Sequence, residues 1–441
     1  MQKILVLGAG MVAGPLIKNL LGHDFQLTVT SLALSEAEDL VAGHPNGSPQ
    51  TLDLSDAEAL SSMVSAHDLV ISLVPYGLHP LVAKQCLAHK KHMVTASYVS
   101  PEMAALDQEA REKGLIFLNE IGLDPGIDHM SAMRIIDEVH DRGGVVRHFR
   151  SYCGGLPSPE ANDNPFGYKF SWAPRSVLLA GRNGAKYWSD SHEVTVSAGD
   201  LFRDMRLLHV PGVGDFEAYP NRDSMEYRDI YGLGTEVRTL FRATLRNLGW
   251  CDTLHSLTKI GMLDREPRPN ADGTIGPFVR EVLGAGPEDD LRDAVAARLN
   301  RTRHSFPPLS MEWLGMFGDH PLEAKQISPL DALSDLMLSK LSYQPGERDM
   351  VVLYHDFKAW FAADGHYEKL TSSLVDYGVP NGDSSMARTV SLPAAIAARL
   401  ILTGKISGRG VMRPVTREIY NPVLDELESL NIVCSETKSV C

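Results

Sequence analysis

The sequence has few cysteines, and none of them lie close together. The five cysteines are scattered along 441 residues, an odd number with no CxxC spacing. This argues against a disulfide framework and against a cysteine-based metal site. A strand is predicted to begin by Lys3–Ile4, which leaves no room for a signal peptide. We therefore expect reduced thiols and a cytoplasmic protein.

Positive charge is also scarce. The chain has 42 Lys and Arg residues against 56 Asp and Glu residues, which gives a formal net charge of −14 at pH 7. A nucleic-acid partner would have to meet a basic face of the protein, so we expect none. An anionic small molecule can still bind, provided that a local cluster of arginines receives it.

Long apolar runs and internal repeats are missing as well. The longest apolar run near the C-terminus, Leu392–Leu402, carries Arg399 and is too short to span a bilayer, so no membrane association is expected. No tandem repeat or low-complexity tract occurs, which argues against a solenoid or a disordered scaffold. The composition, 44% hydrophobic and 22% charged, is that of an ordinary globular protein with two or three domains.

The chain opens with a strand, a glycine-rich loop and a helix. Lys3–Leu7 is a continuous apolar run, typical of a strand buried on both faces of a parallel sheet. It leads into the GxGxxA pattern of Gly8–Gly14 and then into a predicted helix over Pro15–Leu21. Gly8 allows the tight turn, and Gly10 lets the backbone approach a pyrophosphate. The pattern therefore predicts a dinucleotide-binding loop.

Strands and helices alternate through the first hundred residues. Further strands are predicted over Gln26–Thr30, Thr51–Leu54, Leu69–Val74 and Met93–Ala96. This alternation predicts a doubly wound parallel sheet of the Rossmann type, in which ligands bind beyond the carboxyl ends of the strands. The loops at those ends, residues 73–76, 96–98 and 122–126, are therefore candidates for the site.

The end of the second strand should indicate which nicotinamide dinucleotide binds. An acidic residue there accepts hydrogen bonds from the ribose of NAD, whereas an Arg favours the phosphate of NADP. The chain has Ser31 and Leu32 at this place, and Ser31 could serve either ribose. The choice between NAD and NADP stays open. Asp53, after the third strand, is a candidate adenine contact, although a loop or cap role is equally consistent.

The second half contains a strand with arginines on one face. Thr239–Leu248 alternates, so Arg242, Thr244 and Arg246 share one face. Such a face could clamp carboxylates, but an ordinary solvated strand surface is the more frequent case. Arg222 lies in a nearby turn sequence, Tyr219–Ser224.

The order of these patterns predicts three segments. Residues 1–128 form the nucleotide-binding domain, and residues 129–390 form a substrate-binding and dimerisation domain with a helical insertion at about 254–341. Residues 391–441 return to the first domain, with a helix that begins at Ser391-Leu-Pro393.

Many short motifs along the chain resemble one family. They are Gly8–Gly14, Asp68–Ser72, Pro75-Tyr76, Met93–Tyr98, Asn119–His129, Ser151–Pro157, Asn164-Pro165, Tyr168–Trp172, Tyr219–Ser224, Thr244–Arg246, Glu312–Gly315, Lys340–Tyr343 and Ser385–Ala387. With these motifs the chain resembles the glutamate-forming saccharopine dehydrogenases. This family includes the fungal saccharopine reductases and the corresponding domain of the bifunctional lysine-degrading enzyme of animals and plants. The resemblance covers essentially the whole chain.

The resemblance implies a Rossmann domain, a mixed α/β substrate domain, and a homodimer. The implied reaction belongs to lysine metabolism and uses NAD(P): saccharopine gives a hydride to the nicotinamide, and the resulting imine is hydrolysed to glutamate and α-aminoadipate semialdehyde. The chain departs from the family at one place. Fungal members have an Arg after the second strand and the animal domain has an acidic residue, where this chain has Leu32.

The resemblance and the patterns above together assign the site. The substrate-binding residues are Ser97, Tyr98, Arg222, Thr244, Leu245 and Arg246. The cofactor-binding residues are Gly8, Gly10, Met11, Val12, Ser31, Asp53, Leu73, Val74, Pro75, Ala96, Ser97, Asp124 and Trp172. Saccharopine carries three carboxylates, which is consistent with arginines in the substrate set.

The reaction also needs a proton acceptor for the amine and an acid or base for imine hydrolysis. Asp124 is the first candidate, followed by Tyr98 and Cys153. Each has a simpler alternative: Asp124 could only cap the helix that starts near Ile127, Tyr98 could only hydrogen-bond the substrate, and Cys153 could be a small buried apolar residue.

Two other functions remain open at this point. One is a dehydrogenase acting on another carboxylated amine, such as a carboxylated polyamine, and the other is a non-catalytic nucleotide sensor. The combination of Tyr98, Arg222 and Arg246 argues against a sensor, which would not need it. No metal is expected, since His89 and His92 lack a matching ligand set.

Overall fold

A computed structural model describes residues 1–172 and 174–441. The strands are β1 (Gln2–Leu7), β2 (Phe25–Ser31), β3 (Gly47–Thr51), β4 (Leu69–Ser72), β5 (His92–Val94), β6 (Ile116–Leu118), β7 (Gly144–Pro157), β8 (Ala185–Ser189), β9 (His192–Val196), β10 (Arg206–Val210), β11 (Gly214–Pro220), β12 (Thr239–Arg246), β13 (Arg268–Pro269), β14 (Gln326–Ile327), β15 (Asp349–Phe361), β16 (His366–Tyr377), β17 (Gly410–Met412) and β18 (Ser435–Val440). The α-helices are α1 (Gly14–Leu21), α2 (Leu34–Val41), α3 (Ala57–Ser65), α4 (His79–His89), α5 (Pro101–Ala104), α6 (Asp107–Glu112), α7 (Ile127–Asp141), α8 (Pro174–Ala180), α9 (Tyr227–Ile230), α10 (Trp250–Lys259), α11 (Ile275–Leu283), α12 (Leu291–Arg298), α13 (Phe306–Leu314), α14 (Pro329–Lys340), α15 (Ser385–Leu402) and α16 (Arg417–Ser429).

The chain forms two compact units. The first unit combines Met1–Val145 with Phe361–Cys441, and the second is Val146–Trp360. Helix α7 belongs to the first unit and packs against α16. The domain boundaries that the sequence suggests, at 128/129 and 390/391, are a different division of the chain and stay a prediction.

The first unit is built on a seven-stranded parallel sheet with the order β17-β6-β5-β4-β1-β2-β3. The central strand β1 pairs with β2 and β4, and its residues Ile4–Leu7 are fully buried. The strand order reverses beside β1, so the carboxyl ends of β1 and β4 flank the crevice where a doubly wound sheet binds its ligand. The predicted Rossmann sheet is confirmed.

The third strand lies earlier in the chain than predicted. β3 covers Gly47–Thr51, so the expectation of a strand over Thr51–Leu54 is wrong. β3 is at the edge of the sheet, pairs with β2 alone, and is polar with a proline, Pro49, inside it. An edge strand tolerates proline and is held by backbone hydrogen bonds on one side. The apolar pattern that locates central strands is therefore absent here.

The opposite edge of the same sheet is formed by two strands of three residues each. β6 and β17 pair in parallel, with Phe117 opposite Val411. Neither strand is predicted from the sequence, because three residues show no recognisable period and the two partners are far apart in sequence. Their pairing brings the C-terminal part of the chain onto the nucleotide-binding sheet.

The long C-terminal helix begins earlier than predicted. α15 starts at Ser385, where the hydroxyl of Ser384 accepts a hydrogen bond from the Ala387 N–H at 3.0 Å. The predicted start at Ser391-Leu-Pro393 is wrong: Pro393 lies inside the helix, and the Ser391 hydroxyl donates to the Ala387 carbonyl at 2.7 Å. Packing of α15 against α1, β4 and β5 continues the helix through a sequence that resembles a helix start.

α15 is the one helix of the described chain that is long and apolar enough to cross a membrane by length and composition. It has 18 residues and a mean hydropathy of 1.3, so the apolar run is longer than the segment Leu392–Leu402 suggested. Of this helix, 78% is buried inside the protein. That burial is typical of a core helix, whose apolar surface is covered by protein.

The second unit contains a mixed sheet in which β10, β11, β12, β7 and β15 are successive neighbours. β12 runs parallel to β7 and antiparallel to β11, and the β8–β9 hairpin attaches to β12. The core of the sheet includes Phe149 of β7, which stacks on Phe357 at a centroid distance of 4.4 Å. Helices α10–α14 form the predicted helical insertion. The predicted mixed α/β architecture is confirmed.

Candidate active site

The glycine loop after β1 has the geometry that a dinucleotide needs. Gly8 adopts a φ of +107°, and a Cβ atom there would lie 3.0 Å from the carbonyl oxygen of Leu73. Glycine alone fits this conformation and this space without strain. A Cβ on Gly10 would meet no atom within 4 Å, so the space over the loop is open to a pyrophosphate. Met11 is exposed and Val12 half-buried in the same loop.

The loops after β4 and β5 also lie at the carboxyl edge of this sheet. Leu73, Val74 and Pro75 directly follow β4, and the Leu73 N–H donates to the Leu7 carbonyl at 2.8 Å. Ala96 and Ser97 follow β5 and are half-buried. Because parallel strands end at the same edge, these predicted cofactor and substrate residues share the ligand-binding edge of the sheet.

Two predicted nucleotide contacts lie after β2 and β3. Ser31 is the last residue of β2 and is half-buried. Asp53 is exposed, and its carboxylate accepts a hydrogen bond from the Ser55 N–H at 2.8 Å, which lowers the pKa of Asp53. This hydrogen bond within the loop is the structural alternative for Asp53, and the adenine contact stays a prediction.

A buried histidine that the sequence analysis missed lies beside Ser97. His79 is 2% exposed; its Nδ1 is 2.9 Å from the Ser72 hydroxyl, and its Nε2 is 2.7 Å from the Ser97 hydroxyl. Burial lowers the pKa of His79 to about 4, so the ring is neutral at pH 7, with one nitrogen donating and the other accepting. His79 therefore orients Ser97. The signal available in the sequence was the position of His79 at the start of α4, just after the loop that follows β4.

Tyr98 and Asp124 form a direct pair. The Tyr98 hydroxyl donates to Asp124 Oδ1 at 2.8 Å, and both side chains are half-buried. Helix α7 has Gly126 as its N-cap, while the Asp128 carboxylate accepts a hydrogen bond from the Gly126 N–H at 2.6 Å. Two proton-carrying groups predicted from separate motifs are therefore in contact, at a place where both reach solvent or ligand.

A second buried group holds this region in place. Glu120 is fully buried; its Oε1 accepts from the Val99 N–H at 3.0 Å and from Arg413 Nε at 2.8 Å, and its Oε2 is 2.9 Å from His129 Nε2. Burial alone would raise the pKa of Glu120, but His129 and Arg413 outweigh it and lower the pKa to about 2. Because Val99 follows Tyr98 in the chain, this network fixes the backbone beside the Tyr98–Asp124 pair. The sequence analysis missed it.

In the second unit, the arginine-bearing face of β12 is buried. Arg242 is 2% exposed and Arg246 is 4% exposed, so the interpretation of β12 as a solvated strand surface is wrong. Arg242 stacks on the ring of Tyr227 at 4.4 Å. Burying a guanidinium is costly unless hydrogen bonds or a counter-charge compensate, so the surroundings of the other buried arginine, Arg246, bear on its role.

Arg246 is surrounded by aromatic rings and carbonyl groups. Its guanidinium lies 4.9 Å from the centre of the Tyr168 ring and 5.4 Å from that of Trp250, and its Nη1 donates to the Leu245 carbonyl at 2.7 Å. Within residues 1–172 and 174–441, its Nε has no hydrogen-bond partner and no carboxylate pairs with it.

The carboxylate opposite Arg246 in the strand register belongs to Glu217. It is already used by helix α10, where it accepts hydrogen bonds from the N–H groups of Gly249 and Cys251 at 2.9 and 2.7 Å. Arg246 is thus a buried cation with no carboxylate partner among the described residues, an arrangement that could accept an external anion.

The remaining predicted substrate residues lie around the same strand. Thr244 is half-buried and pairs in register with Cys153 of β7, which is buried. The side chain of Leu245 is buried, so only its backbone can reach a ligand. Arg222 is exposed with a φ of +55°. Trp172, the predicted cofactor residue of this unit, is half-buried.

The strand register shows that Arg222 and Arg246 lie far apart along the sheet. Asn221 donates its N–H to the Arg242 carbonyl at 2.8 Å, whereas Arg246 pairs with Glu217, four positions earlier on β11. At about 3.3 Å per residue, four positions along the strand put the backbones of Arg222 and Arg246 roughly 13 Å apart or more. Arg222 and Arg246 are therefore suited to two different carboxylates of an extended ligand.

Comparison with protein families accounts for both halves of the chain. Residues 4–118 match the saccharopine dehydrogenase NADP binding domain, and residues 122–432 match the saccharopine dehydrogenase C-terminal domain. The chain belongs to the saccharopine dehydrogenase family. The glycine loop lies in the first matched region, and Asp124, Arg222 and Arg246 lie in the second.

Individual members of the saccharopine dehydrogenase family match the whole chain. Saccharopine dehydrogenase [NADP(+), L-glutamate-forming] of Pyricularia oryzae is 40% identical over 99% of this chain and 98% of that protein. The mitochondrial alpha-aminoadipic semialdehyde synthase of Bos taurus is 40% identical over 100% of this chain, which spans 48% of that longer protein. The solved apo saccharopine dehydrogenase (L-Glu forming) from Saccharomyces cerevisiae covers 100% of this chain, with a TM-score of 0.89 and 39% identity. The resemblance drawn from the short motifs is confirmed.

Proposed function

We propose that this chain oxidises saccharopine to L-glutamate and α-aminoadipate semialdehyde with a nicotinamide dinucleotide, as an enzyme of lysine metabolism. The observation that carries the proposal is Arg246, a buried cation with no carboxylate partner among the described residues. Membership of the saccharopine dehydrogenase family supports the proposal that this anion is a carboxylate of saccharopine.

Substrate binding is assigned to the arginines and to Ser97. Arg246 receives one carboxylate in a desolvated, aromatic-lined position, where a charge-assisted hydrogen bond is strong. Arg222 receives a second carboxylate, because the register places it well away from Arg246. Ser97, oriented by His79, provides a third polar contact. Holding an extended substrate at several points aligns its reacting carbon, which can supply much of the rate acceleration.

Proton transfer is assigned to the Tyr98–Asp124 pair. The bound nicotinamide supplies the hydride acceptor for the C–H bond beside the secondary amine. That amine must be unprotonated so that its lone pair can form the C=N bond as the adjacent carbon releases the hydride. Asp124 accepts the amine proton, while Tyr98 donates a hydrogen bond to the same carboxylate. After water attacks the imine, Asp124 returns a proton to the nitrogen that leaves as the amine of glutamate. Cys153 remains the third candidate for this role.

The direct test follows absorbance of the reduced nicotinamide on addition of saccharopine, with released glutamate measured separately. Reduction with stoichiometric glutamate is the expected result. A protein that binds nucleotide but shows no saccharopine-dependent reduction with either NAD or NADP would overturn the proposal. Other carboxylated amines, including carboxylated polyamines, serve as competing substrates, and faster turnover of one of them would replace saccharopine.

A cytoplasmic homodimer is a further proposal. It is supported by the resemblance to the family and by five free cysteines in the structure. The acidic net charge of −14 supports the absence of a nucleic-acid partner. Light scattering behind size exclusion tests the dimer, and a mass of one chain at micromolar concentration would contradict it.

A further inference from the structure

The last residue of β2 is hydrogen-bonded to an acidic side chain of α2, a contact that the sequence pattern did not reveal. The Ser31 hydroxyl donates to Glu36 Oε2, across the loop between β2 and α2. Glu36 lies in the first turn of α2 and is exposed. The bond uses one carboxylate oxygen, so Oε1 and the Ser31 hydroxyl oxygen can both accept further hydrogen bonds. A negative charge therefore lies beside the last residue of β2.

This position faces the adenosine ribose in a doubly wound sheet whose glycine loop receives the pyrophosphate. The open space over Gly10 is consistent with that placement. The ribose of NAD presents two hydroxyl donors, which a carboxylate accepts. The ribose of NADP carries a phosphate in place of its 2′-hydroxyl, which an Arg or Lys accommodates.

The charged side chains on the segments from β2 to α2 and from β3 to α3 are all acidic. Residues 31–41, from the end of β2 to the end of α2, contain Glu36, Glu38 and Asp39 but no Lys or Arg. Residues 51–65, from the end of β3 to the end of α3, contain Asp53, Asp56 and Glu58 and again no Lys or Arg. The glycine loop, residues 8–13, carries no charge. In α1, Lys18 is paired with Asp383 at 2.9 Å.

We propose that this chain prefers NAD over NADP, and that Glu36, held by Ser31, is the residue that selects against the phosphate. The proposal rests on the proposed function only in that a nicotinamide dinucleotide binds the first unit. Under this proposal, the cofactor preference of this chain departs from that of the P. oryzae relative, which is named for NADP(+), and from the NADP binding domain that residues 4–118 match. Ser31 and Glu36 together replace the single acidic residue expected at the strand end.

The test measures the dissociation constants of NADH and NADPH by nicotinamide fluorescence with the full chain and no saccharopine. The wild-type protein is expected to bind NADH at least about tenfold more tightly than NADPH. Glu36→Gln is expected to reduce that ratio by about tenfold, because it removes a charge near the phosphate. The discrimination is also expected to weaken at high salt, since the site is exposed.

Glu38→Gln is the matched control. It removes the same charge from the same helix, but two residues further on and about 200° around the axis, away from Ser31. Equal shifts from the two variants would overturn the role of Glu36, and tighter binding of NADPH by the wild type would overturn the preference. Leu32→Arg provides an independent check, because a cation at this exposed position is expected to tighten NADPH binding.

Failure of this proposal and failure of the proposed function are distinguishable. A protein that discriminates NADH from NADPH but does not oxidise saccharopine keeps the cofactor preference and loses the substrate assignment. A protein that oxidises saccharopine equally well with both cofactors, and binds both equally, loses the preference alone.

Discussion

The candidate sites of the two units differ in the kind of contact that each offers to a ligand. In the first unit, the glycine loop offers backbone and open space, with Gly8 in a conformation that side chains disfavour and nothing over Gly10. In the second unit, Arg246 offers a side-chain charge buried among aromatic rings. A loop of backbone is encoded by consecutive residues, whereas a buried cation depends on neighbours from several strands. The first kind of site is therefore readable from sequence and the second is not.

The largest expected effect tests the buried charge. Arg246→Met removes the cation, and kcat/KM for saccharopine is expected to fall by about 10³-fold, since losing one member of a buried charge pair costs about 4 kcal/mol. The Kd for the reduced nicotinamide dinucleotide, measured by fluorescence, should stay within about threefold. Arg242→Met, at the other buried arginine of β12, is the control for loss of a buried guanidinium elsewhere on the same strand. A comparable loss of nucleotide affinity in Arg246→Met would break the contrast between the units.

The next effect tests whether the first unit also contributes side-chain chemistry. Asp124→Asn is expected to lower kcat for saccharopine oxidation by about 100-fold, the usual contribution of a positioned acid or base. Tyr98→Phe removes the hydrogen bond to the same carboxylate and should cost less, about tenfold. Steady-state and single-turnover rates measure both. If Asp124→Asn retains activity within about tenfold, Asp124 is only structural and Cys153 becomes the candidate to examine.

A third prediction concerns the buried histidine of the first unit. The folded pKa of His79, about 4, lies below its ordinary value of 6.5, so the unfolded chain binds the proton first as pH falls. The stability contributed by His79 is complete above about pH 6.5 and is lost progressively down to about pH 4. Between about pH 6.5 and pH 5 this amounts to about 2 kcal/mol.

Urea denaturation at several pH values measures this loss. His79→Gln keeps a polar side chain that does not titrate. The difference in the free energy of unfolding between wild type and variant therefore isolates the contribution of His79 from that of the carboxylates and the other histidines. Parallel pH profiles in the two proteins would show that His79 is not buried in solution as it is in the structure.

The smallest effect separates the roles of the two glycines. Gly10→Ala is expected to leave folding intact, because its Cβ enters open space, but to weaken nucleotide binding by about tenfold through contact with the pyrophosphate. Gly8→Ala should instead lower the free energy of unfolding by about 1–2 kcal/mol, because of its positive φ. Thermal unfolding and nucleotide titration of both variants measure this. Unchanged nucleotide affinity in Gly10→Ala would place the dinucleotide elsewhere.

The expectations for the fold are correct where consecutive residues decide the structure and wrong where residues distant in sequence decide it. The central strands β1 and β2 were located to within one residue at each end, because strands buried on both faces are apolar throughout. The predicted position of β3 is wrong, because an edge strand contacts little of the core and lacks the apolar pattern. The predicted start of α15 is too late in the chain, because Ser391 and Pro393 resemble a helix start. In both cases, packing or pairing with residues distant in sequence determines the structure, and the local sequence pattern does not.

The sequence by itself determined the parallel sheet, the dinucleotide loop and the family, because each of these is written in consecutive residues or short motifs. The tertiary structure decided which charged groups are buried and which touch. It showed that Arg246 is enclosed, that Tyr98 bonds to Asp124, that His79 orients Ser97, and that Glu36 lies beside Ser31. The physical reason is that burial and hydrogen bonding of a side chain depend on chain segments that meet only after folding. A two-residue pattern such as Ser31-Leu32 therefore does not indicate the carboxylate beside it.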